Sequence, residues 1–247
     1  SFPIINWHDS MRDYGCDKPD LRIPLKLIEI SELVKDEEFK VFAEPAKDSN
    51  SRVVALKIPG GNSLSRGQID DYANFVTKLG AKGLAYIKVN DKSDIKNGLQ
   101  SPILKFLKNE TISSLISDLD LENDDLLFFG AGKKSVVNLS MSSLIKKIGE
   151  DLSLYQMKWA PCWVVNFPMF ERNTDGDLTS LHHPFTLPDC SSSELKASPE
   201  KSLAHAYDVV LNGYEIGGGS LRVFDTEMQK TIFEILKITK EEAENKF

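Results

Sequence analysis

AYDVVLNGYEIGGGSLRV, residues 206–223, is the most informative stretch of the 247-residue chain. Two extended apolar runs meet at Asn212-Gly213, and three consecutive glycines follow. Asn-Gly between β-rich runs is a strong hairpin signal, because both central residues of a type I′ turn need a positive φ. The segment therefore predicts an antiparallel hairpin that turns at Asn212 and Gly213.

The register of this hairpin places two carboxylates on one face of a sheet. With a two-residue loop, the paired positions are Leu211 with Tyr214, Val210 with Glu215 and Val209 with Ile216. Partners share a face and side chains alternate, so Asp208, Val210, Glu215 and Gly217 project to the same side. The two carboxylates indicate a site for a hard cation or a catalytic pair. The alternative is a solvated pair beside a loose glycine turn, although like charges with nothing to bind destabilise such a pair.

The glycine run affects the prediction for Arg222. Gly217, Gly218 and Gly219 carry no side chain, so another group can approach the backbone of this strand closely. Arg222 has the opposite parity from Glu215, and it joins the same face only if a β-bulge falls within the glycine run. Glycine adopts the left-handed conformation at little cost, which favours a bulge there.

The composition limits the class of protein. The chain is 41% hydrophobic, enough for a substantial core, and it has no apolar run of about 18 residues that could span a membrane. The formal charge of −7 and the isoelectric point near 5.2 argue against a main electrostatic platform for nucleic acid, without excluding a polynucleotide held elsewhere. Three widely spaced cysteines and a start without signal-peptide features favour a reduced, cytoplasmic protein.

Residues 29–131 predict a small α+β module in which strands and helices alternate. The expected strands are FKVFAEP (39–45), SRVVALKIP (51–59), LAYIKV (84–89) and DLLFFGAG (125–132), after a strand-to-helix segment at residues 25–39. One expected helix begins at a capping box of Ser65 and Gln68 and ends at Gly80, and a second begins at Ser101-Pro102. A third helix follows the module and ends near Gly149.

The character of the chain changes at about residue 159, where polar residues stand among apolar strands, beginning with WAPCWVVNFPMF. Residues 173–176 predict a turn, and residues 188–201 predict a Ser- and Pro-rich loop. Two capping-box spacings predict helix starts further on, one of Thr226 with Gln229 and one of Thr239 with Glu242.

His182-His183-Pro184-Phe185 contains two of the four histidines. Neighbours in an extended strand point to opposite faces, so the two imidazoles do not easily bind one metal, and Cys190 completes no known zinc spacing. One interpretation is an imidazole that faces a pocket as a donor to an anionic ligand. The other is a histidine whose hydrogen bonds are satisfied within a core.

Several motifs together resemble a known family. In order and spacing, WVVNFPMFE, LTSLHHPFT and AYDVVLNGYEIGGGSLR are similar to the catalytic domain of bacterial-type aspartyl-tRNA synthetases. The earlier motifs YGCDKPDLR, VVALKIPGGNSLSRGQIDDYANFVTKLGAKGLAYIKVN and SPILKFL resemble the GAD domain inserted in that family. That module also occurs in an amidotransferase subunit acting on tRNA, and the lysyl and asparaginyl relatives share the hairpin but lack the insertion.

The resemblance implies a fold and a division into domains. The expected fold class is α+β, with an inserted small α+β GAD domain and part of a class II synthetase antiparallel β-sheet with flanking helices. Residues 1–28 would be a catalytic-domain segment and linker, residues 29–131 the GAD insertion domain, and residues 132–247 a partial class II catalytic domain.

The resemblance also implies an activity and a set of roles. An aspartate–tRNA ligase uses ATP and Mg²⁺ to convert L-aspartate to aspartyl-adenylate and then transfers the aspartate to tRNA. The full-length protein is expected to be a homodimer, and no membrane is expected as a partner. Matching positions assign ATP to Glu215, Mg²⁺ to Asp208 and Glu215, aspartate to His182, His183 and Arg222, and close approach of the adenylate to Gly217, Gly218 and Gly219. Arg222 would hold the aspartate side chain through a bidentate fork. Catalysis by positioning and charge neutralisation needs no protein nucleophile.

Departures from the family pattern accompany the resemblance. The first two class II signatures, the third signature and the anticodon-binding barrel are not found, so the chain is expected to be an internal fragment without adenylation activity of its own. Asn166 stands where the family usually has Asp. The alternative function is a non-catalytic tRNA- or protein-binding module built on the GAD domain, and a weaker one is an aspartate-activating amide ligase. A module without a nucleotide site would gain nothing from the charges of Asp208, Glu215 and Arg222.

Overall fold

Strands and helices alternate along most of the chain in the computed structural model, which describes residues 1–173, 175–239 and 241–242. The strands are β1 (Ile4–Asn6), β2 (Leu27–Glu29), β3 (Ser51–Ile58), β4 (Ala85–Val89), β5 (Leu99–Gln100), β6 (Leu126–Lys133), β7 (Pro161–Pro168), β8 (Phe170–Arg172), β9 (Leu178–Ser180), β10 (Leu203–Leu211) and β11 (Tyr214–Ser220). The α-helices are α1 (Trp7–Tyr14), α2 (Ser31–Val34), α3 (Lys40–Lys47), α4 (Arg66–Lys78), α5 (Asn109–Asp118), α6 (Lys134–Asp151), α7 (Ser192–Ala197) and α8 (Thr226–Ile235).

The chain forms two compact units. The middle unit comprises Met11–Cys16 and Arg22–Lys158, and the hairpin unit comprises Ser1–Ser10, Asp17–Leu21 and the described residues from Trp159 onward. The middle unit has a five-stranded sheet of order β2-β3-β6-β4-β5, and the hairpin unit has a four-stranded sheet of order β1-β7-β10-β11 and the pair β8-β9. Except for the parallel pair β1 and β7, neighbouring strands are antiparallel. The predicted α+β class is therefore confirmed, whereas the assignment of residues 29–131 to an inserted domain stays a prediction.

Both faces of the middle sheet are buried. On one side, Val54, Leu56 and Phe128 pack in a core cluster with residues of α4 and α6. On the other side, Val53 and Phe129 pack in a second cluster with residues of α3 and α5. Successive residues of β3 and β6 thus enter opposite cores, which explains why these strands read as uninterrupted apolar runs.

The strongest sequence signals of the middle unit are confirmed. α4 begins with the predicted capping box: the Ser65 hydroxyl accepts from the backbone N–H of Gln68, and the Gln68 side chain accepts from the backbone N–H of Ser65 at 2.9 Å. The helix ends just before Gly80, which has a φ of +96°. β3, β4 and β6 lie within their predicted stretches to within a residue, and α6 runs two residues beyond Gly149.

The predicted strand FKVFAEP at residues 39–45 is wrong, because α3 occupies Lys40–Lys47. Phe42 and Ala43 are buried, and the Phe42 ring packs against Phe39 three residues earlier, whereas Val41 is 53% exposed. A strand would instead have placed Phe39, Val41 and Ala43 on one face. Short apolar runs do not distinguish a strand from a helix by periodicity alone.

The helix predicted from Ser101-Pro102 begins later than expected. A short 3-10 turn covers Leu104–Phe106, and α5 begins at Asn109. Its first turn is capped by Glu37, a buried carboxylate that accepts from the backbone N–H of Lys108 at 2.9 Å and from the Thr111 hydroxyl. A cap that lies more than 70 residues away in sequence leaves no local pattern.

The four-stranded sheet of the hairpin unit buries one face against a core that includes α7 and α8. This core contains Val164, Phe167, Leu195, Val210 and Ile232. β11 contributes no buried residue to it. Among the described residues, no helix has both the length and the hydropathy that crossing a bilayer requires.

The predicted loop at residues 188–201 is wrong in part, because it contains α7 and a 3-10 turn at Pro199–Lys201. α7 begins with a capping box in which Ser191 and Glu194 exchange hydrogen bonds between side chain and backbone. The abundance of Ser and Pro obscured this S-x-x-E signal.

The two predicted capping boxes near the end have different outcomes. The box of Thr226 with Gln229 is wrong, because Asp225 caps α8 and accepts from the backbone N–H of Glu227 and Met228. Thr239 and Glu242 do exchange reciprocal hydrogen bonds. The helix predicted to follow them lies largely outside the described residues.

Candidate functional site

The predicted turn at Asn212-Gly213 is confirmed. Asn212 has a φ of +54° and Gly213 a φ of +83°, as a type I′ turn requires. Leu211 pairs with Tyr214 and Val210 with Glu215. The Asn212 side chain also accepts a hydrogen bond from the backbone N–H of Ala160 at 2.9 Å, which fixes the turn to the start of β7.

The register agrees with the prediction as far as the pair of Val210 and Glu215 and departs from it at the next pair. Val209 pairs with Gly217 instead of Ile216, so Ile216 is the extra residue of a β-bulge and is 61% exposed. The bulge falls immediately before the glycine run and not inside it. As a result Gly218, and not Gly217, lies opposite Asp208.

The bulge brings Arg222 to the same face as Glu215. One inserted residue reverses the alternation, so Gly218, Ser220 and Arg222 continue on the side to which Glu215 points. These side chains form a cleft of about 220 Å³ lined by His182, His183, Asp208, Glu215, Gly218, Gly219, Ser220 and Arg222. Of the residues to which the resemblance assigns a ligand, all of them described by the structure, only Gly217 is not in this lining.

Two carboxylates define one end of the cleft. A Cβ atom on Gly218 would lie 2.6 Å from Asp208 Oδ1 and 3.4 Å from Glu215 Oε1, so both carboxylates face the same glycine. Asp208 is only 5% exposed. Its burial, followed by the charge of Glu215, raises the pKa of Asp208 to about 6. This end of the cleft therefore carries negative charge that a bound cation would stabilise.

Lys18, which no sequence pattern predicted, is a neighbour of the two carboxylates. Its ammonium lies 3.2 Å from Glu215 Oε2 and 3.8 Å from Asp17 Oδ2. Burial opposes the charge on Lys18, but the hydrogen bond to Glu215 and the charges of Asp17, Glu215 and Asp208 outweigh it and raise the pKa of Lys18. In the sequence, Lys18 was notable only as part of the motif YGCDKPDLR. An irregular segment has no hydrophobic periodicity, so its side-chain directions could not be predicted.

Arg222 provides the positive charge of the cleft. Its backbone is held by pairing with Thr186, flanked by hydrogen bonds from Val223 N to Phe185 O at 2.9 Å and from Leu187 N to Leu221 O at 2.8 Å. Within the described part of the chain, no carboxylate lies within ion-pair distance of the Arg222 guanidinium. Its donors are therefore available to an anionic group in the cleft.

The two adjacent histidines both line the cleft, because they lie in a loop where the alternation of a strand does not apply. The His182 ring meets Phe167 edge to face at 4.5 Å, and burial lowers the His182 pKa although Glu215 and Asp17 oppose this. His183 Nδ1 accepts from the backbone N–H of Phe185 at 3.1 Å, and burial, then Arg222, lowers the His183 pKa. The lowered pKa values favour the neutral form of both imidazoles at pH 7.

The donor set of the cleft fits Mg²⁺ held together with a phosphate ligand. Among the described residues, no group of three or more His, Cys, Asp or Glu side chains is arranged to hold a metal ion. Mg²⁺ usually keeps several waters and is bound through one or two carboxylates plus substrate phosphates. Asp208 and Glu215, facing the same glycine, supply such a pair.

The α+β fold agrees with a comparison against known families. The family model of class II tRNA synthetases (D, K and N) matches residues 1–247. The chain belongs to this family of aminoacyl-tRNA ligases, which in general use ATP and Mg²⁺. The family comprises the enzymes for aspartate, lysine and asparagine.

Proposed function

We propose that this chain belongs to an aspartate–tRNA ligase and that its cleft binds L-aspartate, ATP and Mg²⁺. The observation that carries the proposal is the Arg222 guanidinium, which faces a cleft shared with two carboxylates and has no carboxylate partner among the described residues. The cleft therefore has one end suited to cations and one group suited to an anion.

This charge distribution favours aspartate among the three amino acids of the family. The planar guanidinium of Arg222 matches a carboxylate through two parallel hydrogen bonds. The side-chain ammonium of lysine would be repelled there, and the neutral amide of asparagine would lose the charge-assisted part of the interaction. Aspartate is the amino acid whose side chain complements this group.

The remaining lining residues have roles consistent with adenylate formation. Asp208 and Glu215 would hold Mg²⁺ with ATP, and Mg²⁺ bound there would neutralise charge on the phosphates. His182, neutral and beside Phe167, would donate a hydrogen bond to the bound amino acid. Gly218 and Gly219, without side chains, would let the adenylate approach the strand, and Gly217 would contribute only through its backbone.

Residues 29–131, which lie within the middle unit, are proposed to be the inserted GAD domain, on the strength of their resemblance in sequence and of the sheet and two core clusters of that unit. The further partners of the full-length protein are proposed to be tRNA and a second subunit. The three cysteines are thiols, which supports a place in the cytoplasm. The alternative, a binding module without catalysis, gives no reason for the charges of the cleft.

The test is amino-acid-dependent exchange of pyrophosphate into ATP by the full-length protein, with aspartate, asparagine and lysine compared. We expect exchange with aspartate, and a loss of about 100-fold in kcat/KM for Arg222→Met, from the strength of a bidentate charge-assisted contact. Arg222→Lys should recover only part of it, since a lysine cannot form the fork. Arg172→Met is the matched control, because Arg172 lies outside the cleft lining.

Each contrary outcome has a distinct meaning. Equal exchange with lysine or asparagine, or aspartate-dependent exchange that is insensitive to Arg222→Met, would overturn the assignment of aspartate. No exchange with any of the three amino acids, in a folded full-length protein, would favour the binding module.

A further inference from the structure

Gln229 has a contact that its predicted role does not explain. The sequence spacing predicts Gln229 as the capping-box partner of Thr226, but Asp225 caps α8 instead. The Gln229 side chain donates from Nε2 to the backbone carbonyl of Pro184 at 3.0 Å. Pro184 follows His182 and His183 directly, so this hydrogen bond joins α8 to the segment at residues 181–186, the histidine loop.

A second contact from the same face of α8 reaches the same loop. The ring of Phe233 meets the ring of Phe185 with centroids 6.0 Å apart in an edge-to-face arrangement. Gln229 and Phe233 are four residues apart, so they lie one above the other on one face of the helix. α8 therefore contacts two consecutive residues of the histidine loop.

Pro184 makes this hydrogen bond more important than an average one. Proline has no backbone N–H, so its carbonyl is the only backbone group through which the residue can be anchored. On the C-terminal side, the Thr186 N–H donates to the His183 carbonyl at 3.0 Å, and Thr186 pairs with Arg222. The Gln229 contact thus holds the loop at Pro184, between the two histidines on one side and the pairing of Thr186 with Arg222 on the other.

We propose that Gln229 is a positioning residue of the amino acid site: by holding the Pro184 carbonyl, it keeps the histidine loop, and with it His182 and His183, in place at the cleft. The inference rests on the proposed function for the identity of the ligand. The physical link from Gln229 to the loop rests on the contacts alone.

The first test is Gln229→Met, which preserves side-chain length and helix propensity but removes the N–H donor. Amide hydrogen exchange of Phe185 and Thr186 should become about 3- to 10-fold faster, the range expected for the loss of one hydrogen bond. Amides of β10 should be unchanged. In pyrophosphate exchange by the full-length protein, KM for aspartate should rise by a similar factor, while kcat and Tm stay nearly constant.

Two further variants separate the hydrogen bond from other effects. Gln229→Glu keeps the shape but presents only acceptors at neutral pH, so it should behave as Gln229→Met does. Lys230→Gln, at the exposed neighbouring position on α8, should leave both measurements unchanged.

Three results would overturn the proposal: unchanged hydrogen exchange in the loop, equal acceleration in the loop and in β10, or a loosened loop with unchanged KM. The proposed function fails separately. If the unsubstituted protein showed no aspartate-dependent pyrophosphate exchange, the ligand assignment would be wrong, whereas amide hydrogen exchange would still decide whether Gln229 holds the loop.

Discussion

The two sheets of the protein use their strands differently. β3 in the middle unit has five consecutive buried residues, and its alternate side chains enter two separate cores. β11 in the hairpin unit has no buried residue and carries three consecutive glycines. A strand whose side chains fill a core on both faces leaves no room for a ligand, whereas a strand without side chains leaves its backbone accessible. A strand that packs in a core therefore needs large apolar side chains, whereas a strand that a ligand approaches needs residues without them.

Buried charges show the same contrast. Arg52 in the middle unit is 6% exposed and donates to Glu29, to Asn138 and to the carbonyls of Met11 and Arg12. Asp208 in the hairpin unit is equally buried, but its strongest charged neighbour is another carboxylate. Removing one member of an internally paired set is costly because it leaves a buried charge without its partner, whereas buried groups that face a like charge are candidates for a ligand site.

The largest expected effect is on the packed sheet. Phe128→Ala removes a fully buried ring that packs against Tyr72 with centroids 5.9 Å apart. We expect the free energy of unfolding to fall by about 3–5 kcal/mol, measured by urea unfolding followed by circular dichroism. Leu139→Ala, on the exposed side of α6, should change it by less than about 0.5 kcal/mol. A loss below about 1 kcal/mol for Phe128→Ala would mean that the middle core is loosely packed.

A smaller and different effect is expected from adding one methyl group to β11. A Cβ at position 218 would lie 2.6 Å from Asp208 Oδ1, whereas a Cβ at position 217 would meet nothing within 4 Å. Gly218→Ala should therefore weaken ATP·Mg²⁺ binding by about 10- to 100-fold, equivalent to about 1.4–2.7 kcal/mol, by calorimetry on the full-length protein. Gly217→Ala is the matched control and should bind within about twofold of the unsubstituted protein. Equal losses in the two variants would show that the glycine run serves backbone conformation and not the cleft.

The sequence predicted local structure well wherever the cause was local. The box of Ser65 with Gln68 and the turn at Asn212-Gly213 depend on residues within four positions of each other, and both are present. The cap of α5 by Glu37 depends on a residue more than 70 positions away, and no local pattern could reveal it. Most of the cleft was predictable from strand alternation, because both carboxylates lie on one hairpin.

The rest of the site depends on irregular backbone, which periodicity does not describe. The bulge was expected within the glycine run but occurs at Ile216, and it places Arg222 on the face of the sheet that lines the cleft. Asn166 also lies at an irregularity, with a φ of +57° and its side-chain amide donating to the Asn6 side chain at 2.7 Å. Asn adopts the left-handed conformation more readily than most residues with a side chain, which suits it to this position.

The smallest expected effect is a change in the free energy of unfolding on substitution of Asp208 in the cleft, with Asp125 of the middle unit as the contrast. The folded-state pKa of Asp208 is about 6, above its usual value of 3.8, so the folded protein binds this proton more tightly than the unfolded chain does. Its contribution to stability is therefore full below pH 3.8 and is lost as the pH rises through 6. Allowing for solvent screening, the loss is on the order of 1 kcal/mol. In chelator at pH 7.5, Asp208→Asn should be more stable than the unsubstituted protein by that amount, and the difference should vanish near pH 4.

Asp125 is the matched contrast, because it is equally buried but accepts from the Glu122 N–H at 2.8 Å and lies 3.4 Å from Lys57 Nζ. Asp125→Asn removes one member of an internal ion pair and should destabilise the protein at pH 7.5. Unfolding of the hairpin unit can be followed by tryptophan fluorescence, since Trp7, Trp159 and Trp163 all lie there, and that of the middle unit by amide hydrogen exchange in β3. The same chemical change would then have opposite signs in the two units. If Asp208→Asn were also destabilising at pH 7.5, the carboxylate pair of the cleft would be a structural element, and the case for a cation site would fail.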